Sequence, residues 1–249
     1  MNTESLAWPS LLHPRVRRRI ALLAFSLLPL SARAETFPPL FIAKYSVAIN
    51  GSDAGEMTRT SRRDGNEFLY QSELKATNGL YALLRIGVSE SSRWRLQGSQ
   101  ALAEDYQYHQ TGIKKRESTV HFDWTRRRVS MLHKKQTSET NATPDMTDRL
   151  LYQLLLMRDL REGKQPIRYT VIDGNKVKDY PIEVLGPESL KTPLGNLETV
   201  KVRYQKPGSD RSTTLWCAKS LGYLPVKLDH HEDEDDTTSA MIQSVSWTK

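Results

Sequence analysis

Cysteine is almost absent from this chain: Cys217 is its single example. One thiol excludes any intramolecular disulfide, so the fold has to hold by packing even in an oxidising compartment. Its setting, Thr214-Leu215-Trp216-Cys217-Ala218, is an apolar strand pattern in which cysteine acts as a small buried hydrophobe. A reactive thiol needs a basic neighbour and exposure, and the sequence offers neither. Long hydrophobic runs are also missing. The most apolar stretch, residues 20–30, holds eleven uncharged residues, well short of the roughly 20 that a membrane-spanning helix needs. There is no Gly-x-Ser-x-Gly elbow, no phosphate-binding glycine loop, no His-Glu-x-x-His and no Cys-x-x-Cys. These absences leave no sequence ground for a catalytic site or a cofactor, and none is expected. An enzyme is the minority reading.

What is present begins with an address. Arg15, Arg17, Arg18 and Arg19 form a positive region, residues 20–30 a hydrophobic core, and Ala32-Arg33-Ala34 a small-residue cleavage motif before Glu35. That order is the grammar of a secretory signal peptide. Cleavage after Ala34 makes Glu35 the mature N-terminus and residues 35–249 a single domain, since no repeat or low-complexity linker divides them. The apolar core and the lack of a cofactor motif favour the ordinary secretory route over the twin-arginine one. The mixed stretch from Met1 to Pro14 is a long preface to such a signal, and one hypothesis starts translation at Val16. No cysteine stands at the cleavage point, so the product is expected to be soluble in the periplasm, without a lipid or transmembrane anchor.

Removing residues 1–34 takes away five of the 36 basic residues and one of the 29 acidic ones, which lowers the net charge from +7 to +3. Most of the basic bias therefore leaves with the signal, and nucleic acid is not an expected partner. Some 215 residues remain, enough for one well-buried domain.

That domain reads as strands. Residues 41–49 alternate polar and apolar and end at Asn50-Gly51, a strong hairpin turn. Further strands are predicted at 55–62, 68–76, 86–96, 101–110, 114–123 and 129–134, then 167–172, 178–185, 197–204, 211–218, 223–230 and 238–247. Short turns such as Asp64-Gly65 and Asp173-Gly174 join neighbours antiparallel, and parallel βαβ units are excluded by the scarcity of helices. A meander of this length has to curl or close to limit exposed edges. Residues 78–84 read as a short helical or irregular turn.

One long helix is predicted over residues 145–161, opened by Thr143-Pro144-Asp145 and stopped by Gly163. It would be about 25 Å long. Leu150, Leu151, Leu154, Leu155, Leu156, Met157 and Leu160 spread around more than one face, which implies burial on two sides. The plain reading is a helix that plugs the sheet. The functional one is a lid over an apolar cavity, with Leu150, Leu154 and Met157 as ligand-binding candidates.

Other features have bland explanations. His230-His231 with the acidic run to Asp236 has the wrong spacing for a metal site, because consecutive residues diverge, and it reads as a solvated hairpin tip. Lys114-Lys115-Arg116, Arg126-Arg127-Arg128 and Lys134-Lys135 either protect turns and edges or line up into one patch for anionic lipid headgroups or an acidic partner. Asp123, Asp145 and Asp148 could pair as acid and base, but Asp145 and Asp148 fit better as first-turn helix charges. Trp94, Trp124, Trp216 and Trp247, with Tyr45, Tyr106, Tyr108 and Tyr223, are expected to build the inner face of a curved sheet.

The ordered segments Ala43-Lys44-Tyr45, Asn78-Gly79-Leu80, Glu90-Ser91-Ser92-Arg93-Trp94, Phe122-Asp123-Trp124 and Asp148-Arg149-Leu150-Leu151-Tyr152-Gln153-Leu154 resemble a known family. The likeness continues through Tyr169-Thr170-Val171, residues 191–201, Leu215-Trp216 and Tyr223-Leu224-Pro225-Val226. The family is the proteobacterial exported proteins grouped as domain of unknown function 3108. The resemblance implies a strand-rich layout with a central helix, similar to the half-barrels of periplasmic lipoprotein carriers, and no catalytic residues to transfer. The expected fold is mainly β: a strongly curved antiparallel sheet or open half-barrel with one long helix packed on the concave side. The expected function is non-enzymatic binding of an apolar or amphiphilic envelope component. The alternatives are an envelope assembly or structural factor that binds a protein partner, and a hydrolase of envelope polymer or lipid.

Overall fold

The computed structural model describes residues 37–248 apart from 114, 207 and 233–235. The signal peptide and its cleavage residues Ala32, Ala34 and Glu35 lie outside the described residues, as does the middle of the acidic run after His231. Among the described residues, one sheet takes in every strand. Its first half comprises β1 (Phe41–Ile49), β2 (Ser52–Asp64), β3 (Glu67–Ala76), β4 (Gly87–Gln97), β5 (Gln100–Thr111), β6 (Arg116–Asp123), β7 (Arg128–His133) and β8 (Gln136–Asn141). The short helix α1 (Gly79–Leu83) joins β3 to β4. The second half comprises β9 (Met146–Asp148), helix α2 (Leu151–Arg161), β10 (Ile167–Asp173), β11 (Lys176–Thr192), β12 (Gly195–Gln205), β13 (Ser212–Ala218), β14 (Leu224–His231) and β15 (Thr237–Trp247).

The sheet runs from β8 back to β1, crosses to β15, and runs back again to β9. Its two edges, β8 and β9, do not pair with each other, so it stays open. It nevertheless curls: Ser92 in β4 donates to Asp148 Oδ2 in β9 at 2.6 Å, although ten places separate those strands in the sheet. Bulges provide part of the bend. Between β1 and β2 the register slips at Val47/Ala48, and opposite it Gly55 passes so close to β3 that a Cβ would lie 2.2 Å from the Lys75 carbonyl oxygen. No side chain fits there.

Period-two alternation built most of these strands as predicted. In β1, Phe41, Ala43, Tyr45 and Val47 are buried while Ile42 and Lys44 face out, and the turn at Asn50-Gly51 carries positive φ at both residues, as a two-residue hairpin of type I′ requires. Three expectations fail. Parallel pairing is present, for β9 runs parallel to β10 (Thr170 opposite Met146) with α2 as the crossover. The helix begins at Leu151, not Asp145, because the backbone of Met146–Asp148 is taken by β10 and the Asp145 carboxylate accepts from Thr170 Oγ1 at 2.6 Å. With 11 residues it is about 16 Å long. The strand predicted to stop at 185 continues through Gly186-Pro187 to Thr192, by way of a bulge between Val184 and Gly186.

Helix α2 is buried on all sides except at Arg158 and Arg161. Its N-terminus is fixed by Asp148, whose Oδ1 accepts from the backbone N–H groups of both Leu150 and Leu151 at 2.8 Å. The predicted stop holds, with Gly163 at φ +66 just beyond the last turn. From the helix, Gln153 reaches Arg59 in β2, and Asp159 accepts from Tyr169 in β10.

Candidate functional site

The inner surface of the curl holds an open cup of about 920 Å³, lined by β1 to β4, Arg116 of β6, the end of β7 and the turn after it, the start of α2, and β10 to β15. Cross-strand register arranges part of its wall in rows. Arg59, Ser72 and Glu90 lie opposite one another on β2, β3 and β4; two residues further along sit Met57, Leu74 and Val88. The polar row is adjacent to an apolar one, about 7 Å away.

Arg149, two residues before α2, stands at the centre of the polar part. Its guanidinium lies 3.5 Å from both Glu90 and Asp173 and 5.4 Å from the centre of the Tyr108 ring. Glu90 also accepts from Tyr106 Oη at 2.8 Å. Asp173 is held by Lys178 and, at 3.3 Å, by Tyr180 Oη. Burial alone would raise the Asp173 carboxyl, but Arg149 and Lys178 hold it below its ordinary range. The opposite wall is aromatic: Tyr180 stacks on Tyr204 at 3.9 Å and meets Tyr152 edge-on at 5.5 Å.

The residues singled out from the sequence fall in various places. Leu150, Leu154 and Met157 are 1%, 0% and 3% exposed and lie behind the cup wall, where α2 presents Tyr152 and Gln153. The three aspartates do not come together. Asp123 takes Arg126, Asp145 takes Thr170 and Asp148 takes Ser92, and Asp148 is not a first-turn helix charge but a fully buried cap ahead of the helix. The basic clusters do not merge into one patch either: Arg116 and Lys134 stand at the cup, whereas Arg126 to Arg128 lie at the far end of the β6–β7 hairpin. His230 and His231 diverge, the first to Thr213 and the second to Thr237. Among the described residues no group of three or more His, Cys, Asp or Glu could hold a metal ion.

Trp94, Trp216, Tyr45 and Tyr106 are core, and Trp124, Tyr108 and Tyr223 pack against it. Trp247 is the exception, 41% exposed at the end of β15. Cys217 is fully buried, and burial pushes its thiol up to about 12, which leaves it an inert hydrophobe. A second cleft, of about 610 Å³ near Gln97, Trp124 and Pro144, is bounded mostly by exposed side chains and holds no buried charge. Sequence reasoning missed Arg59, Glu90, Arg149 and Asp173. Their signal is faint but real, since Arg59 sits on the buried face of β2 between Met57 and Ser61.

Among solved structures, the chain resembles a β-barrel-like protein of domain of unknown function DUF1849 from Brucella abortus, at TM-score 0.51 and 7% identity, over 85% of this chain and 98% of that one. It also matches a protein of Parabacteroides distasonis assigned as a lipoprotein, at TM-score 0.35 and 9% identity, over 85% and 96% of the two chains. At such identities the first likeness shows the fold alone. No curated protein matches the sequence. Among the described residues no helix is long and apolar enough to cross a membrane. The family model that matches residues 44–241 spans most of the strand-rich region just described, and the chain belongs to that family, DUF3108, a protein of unknown function.

Proposed function

We propose that the protein binds an amphiphilic component of the cell envelope in this cup, without catalysis, after export to the periplasm. The observation that carries the reading is the wall itself, where buried Arg59, the half-buried charges of Glu90, Arg149 and Asp173, and the tyrosines share one open cavity with Val47, Met57, Leu74, Val88 and Leu228. A volume of about 920 Å³ lies in the range of small-molecule sites. Helix α2, packed on the concave side, forms the base of the cup, and Leu150, Leu154 and Met157 are its fixed back, which holds Tyr152 and Gln153 in place. The signal ending at Ala34 supports the location, and the first residue of the protein recovered from cells is expected to be Glu35.

Native mass spectrometry of the purified full-length product should show a co-purifying amphiphile. Thr238→Trp, at a half-buried position on the cup wall, should reduce binding of a dodecyl-chain probe about tenfold or more while leaving the fold intact. Empty spectra together with no thermal shift from any dodecyl compound would defeat the reading.

A further inference from the structure

A buried guanidinium needs an anion, and among the described residues one in this cup has none. Arg59 is 5% exposed and lines the cavity. Its Nη1 donates to Gln153 Oε1 at 2.7 Å, and its guanidinium carbon lies 5.7 Å from the centre of the Tyr45 ring. The Tyr70 phenol is its other polar neighbour, and its Nε has no hydrogen-bond partner among the described residues. Among the described residues no carboxylate forms an ion pair with it. The guanidinium stays protonated at any working pH, and a charge held out of water without a counter-charge is costly.

The neighbouring acids are already committed. One oxygen of Glu90 faces Arg149 and the other accepts from Tyr106, while Asp173 serves Arg149, Lys178 and Tyr180. The phenols of Tyr45 and Tyr70 are pushed upward by burial, so they remain neutral. Among the described residues the cup is lined by eight Lys and Arg against four Asp and Glu. Its field therefore favours a negative guest.

Position adds a direction. The Arg59 row lies on the inner side of the Met57, Leu74 and Val88 row, next to the core row of Ser61, Tyr70 and Ser92. Beyond the apolar row β3 ends, and α1 follows with Leu80 and Leu83 exposed by 64% and 79%. We propose that Arg59 is the anchor for the acidic headgroup of an amphiphile, carboxylate or phosphate, which enters head first and leaves its chain along Met57, Leu74 and Val88 toward α1. This inference rests on the cup being an amphiphile site.

Calorimetric titration at pH 8 with dodecanoate, dodecyl phosphate, dodecanol, acetate and inorganic phosphate separates the cases. Both tailed acids should bind wild type at least about tenfold tighter than dodecanol, as expected for a charge-assisted pair. In Arg59→Gln that ratio should fall to near one with dodecanol affinity kept within about threefold, and Arg59→Lys should restore part of it. A merely structural Arg59 would shift stability without changing the ratio. Equal binding of dodecanoate and dodecanol by wild type, or an intact preference in Arg59→Gln, overturns the inference while the amphiphile reading stands. Acetate or inorganic phosphate binding as tightly as the tailed acids makes the guest a soluble anion and also overturns it. Failure of every tailed compound to bind removes the amphiphile reading itself. If Arg59→Gln does not fold, the wild-type ratio and its decline with added salt decide the matter.

Discussion

Leu154→Ala should cost roughly 2 to 5 kcal/mol of folding stability, the range for emptying a well-packed core site. Leu154 is 0% exposed, as are Leu151 and Leu156 beside it, so no neighbouring water can fill the space at low cost. Neither face of the helix is free to relax, because α2 is tied to β2 through Gln153 and to β10 through Asp159. The measurement is a urea titration, in which the midpoint should fall with little change in slope. A loss below about 0.5 kcal/mol would show that α2 is not part of the core. The same substitution should weaken dodecanoate binding even where the protein remains folded, because Tyr152 and Gln153 are held at the cup by the packed side of their own helix.

That helix shows where the sequence was legible and where it was not. Its apolar surround announced burial, since Leu150, Leu154, Leu156 and Leu160 cannot all face one partner. Its start was hidden because Thr143-Pro144-Asp145 satisfies every local rule for a helix opening, and only the distant strand β10 claims Met146–Asp148 for the sheet. Strand β8 was missed for a different reason: Gln-Thr-Ser-Glu-Thr-Asn holds no apolar residue, so an edge strand that buries little leaves no periodic trace. The Gly186-Pro187 pair hid the continuation of β11, where a bulge absorbs the break. Strands such as β1, buried on one face and closed by a two-residue turn, carry their whole instruction locally.

The site was less legible than the fold. Period two places Arg59 on the inner face of β2, but it does not tell which inner faces share a space. Glu90, Arg149 and Asp173 meet because the sheet curls until β4 touches β9, and that closure depends on the summed twist and bulges of many strands. Charges separated by decades of sequence read individually as solvated residues. Only the curl makes them a cluster.

Asp148 sits at the same closure and should give the folded protein a pH dependence opposite to that of an ordinary salt-bridged acid. Burial is the main cause that raises its carboxyl from 3.8 to about 6; donors at Ser92, Leu151 and Leu150 only partly offset it, and the charge of Glu90 adds to the rise. The folded state therefore holds a proton that the unfolded state releases near pH 4. Stability from this group is full below about pH 4 and is lost as the pH rises through about 6, by up to about 3 kcal/mol. Other groups titrate in the same window, so the readout is the difference between wild type and Asp148→Asn. The amide keeps an oxygen for the two helix N–H groups and can donate to the Ser92 hydroxyl, yet carries no charge. Wild type should lose stability relative to Asp148→Asn between pH 4 and 7, and parallel profiles for the two would show that the buried carboxyl is not strained by its charge. Asp148→Ala should fare worst at every pH, by roughly 2 kcal/mol or more against Asp148→Asn, because the Leu150 and Leu151 N–H groups lose their acceptor where water does not reach. Since Asp148 precedes Arg149 and binds Ser92, the same loss should loosen the closure that forms the cup.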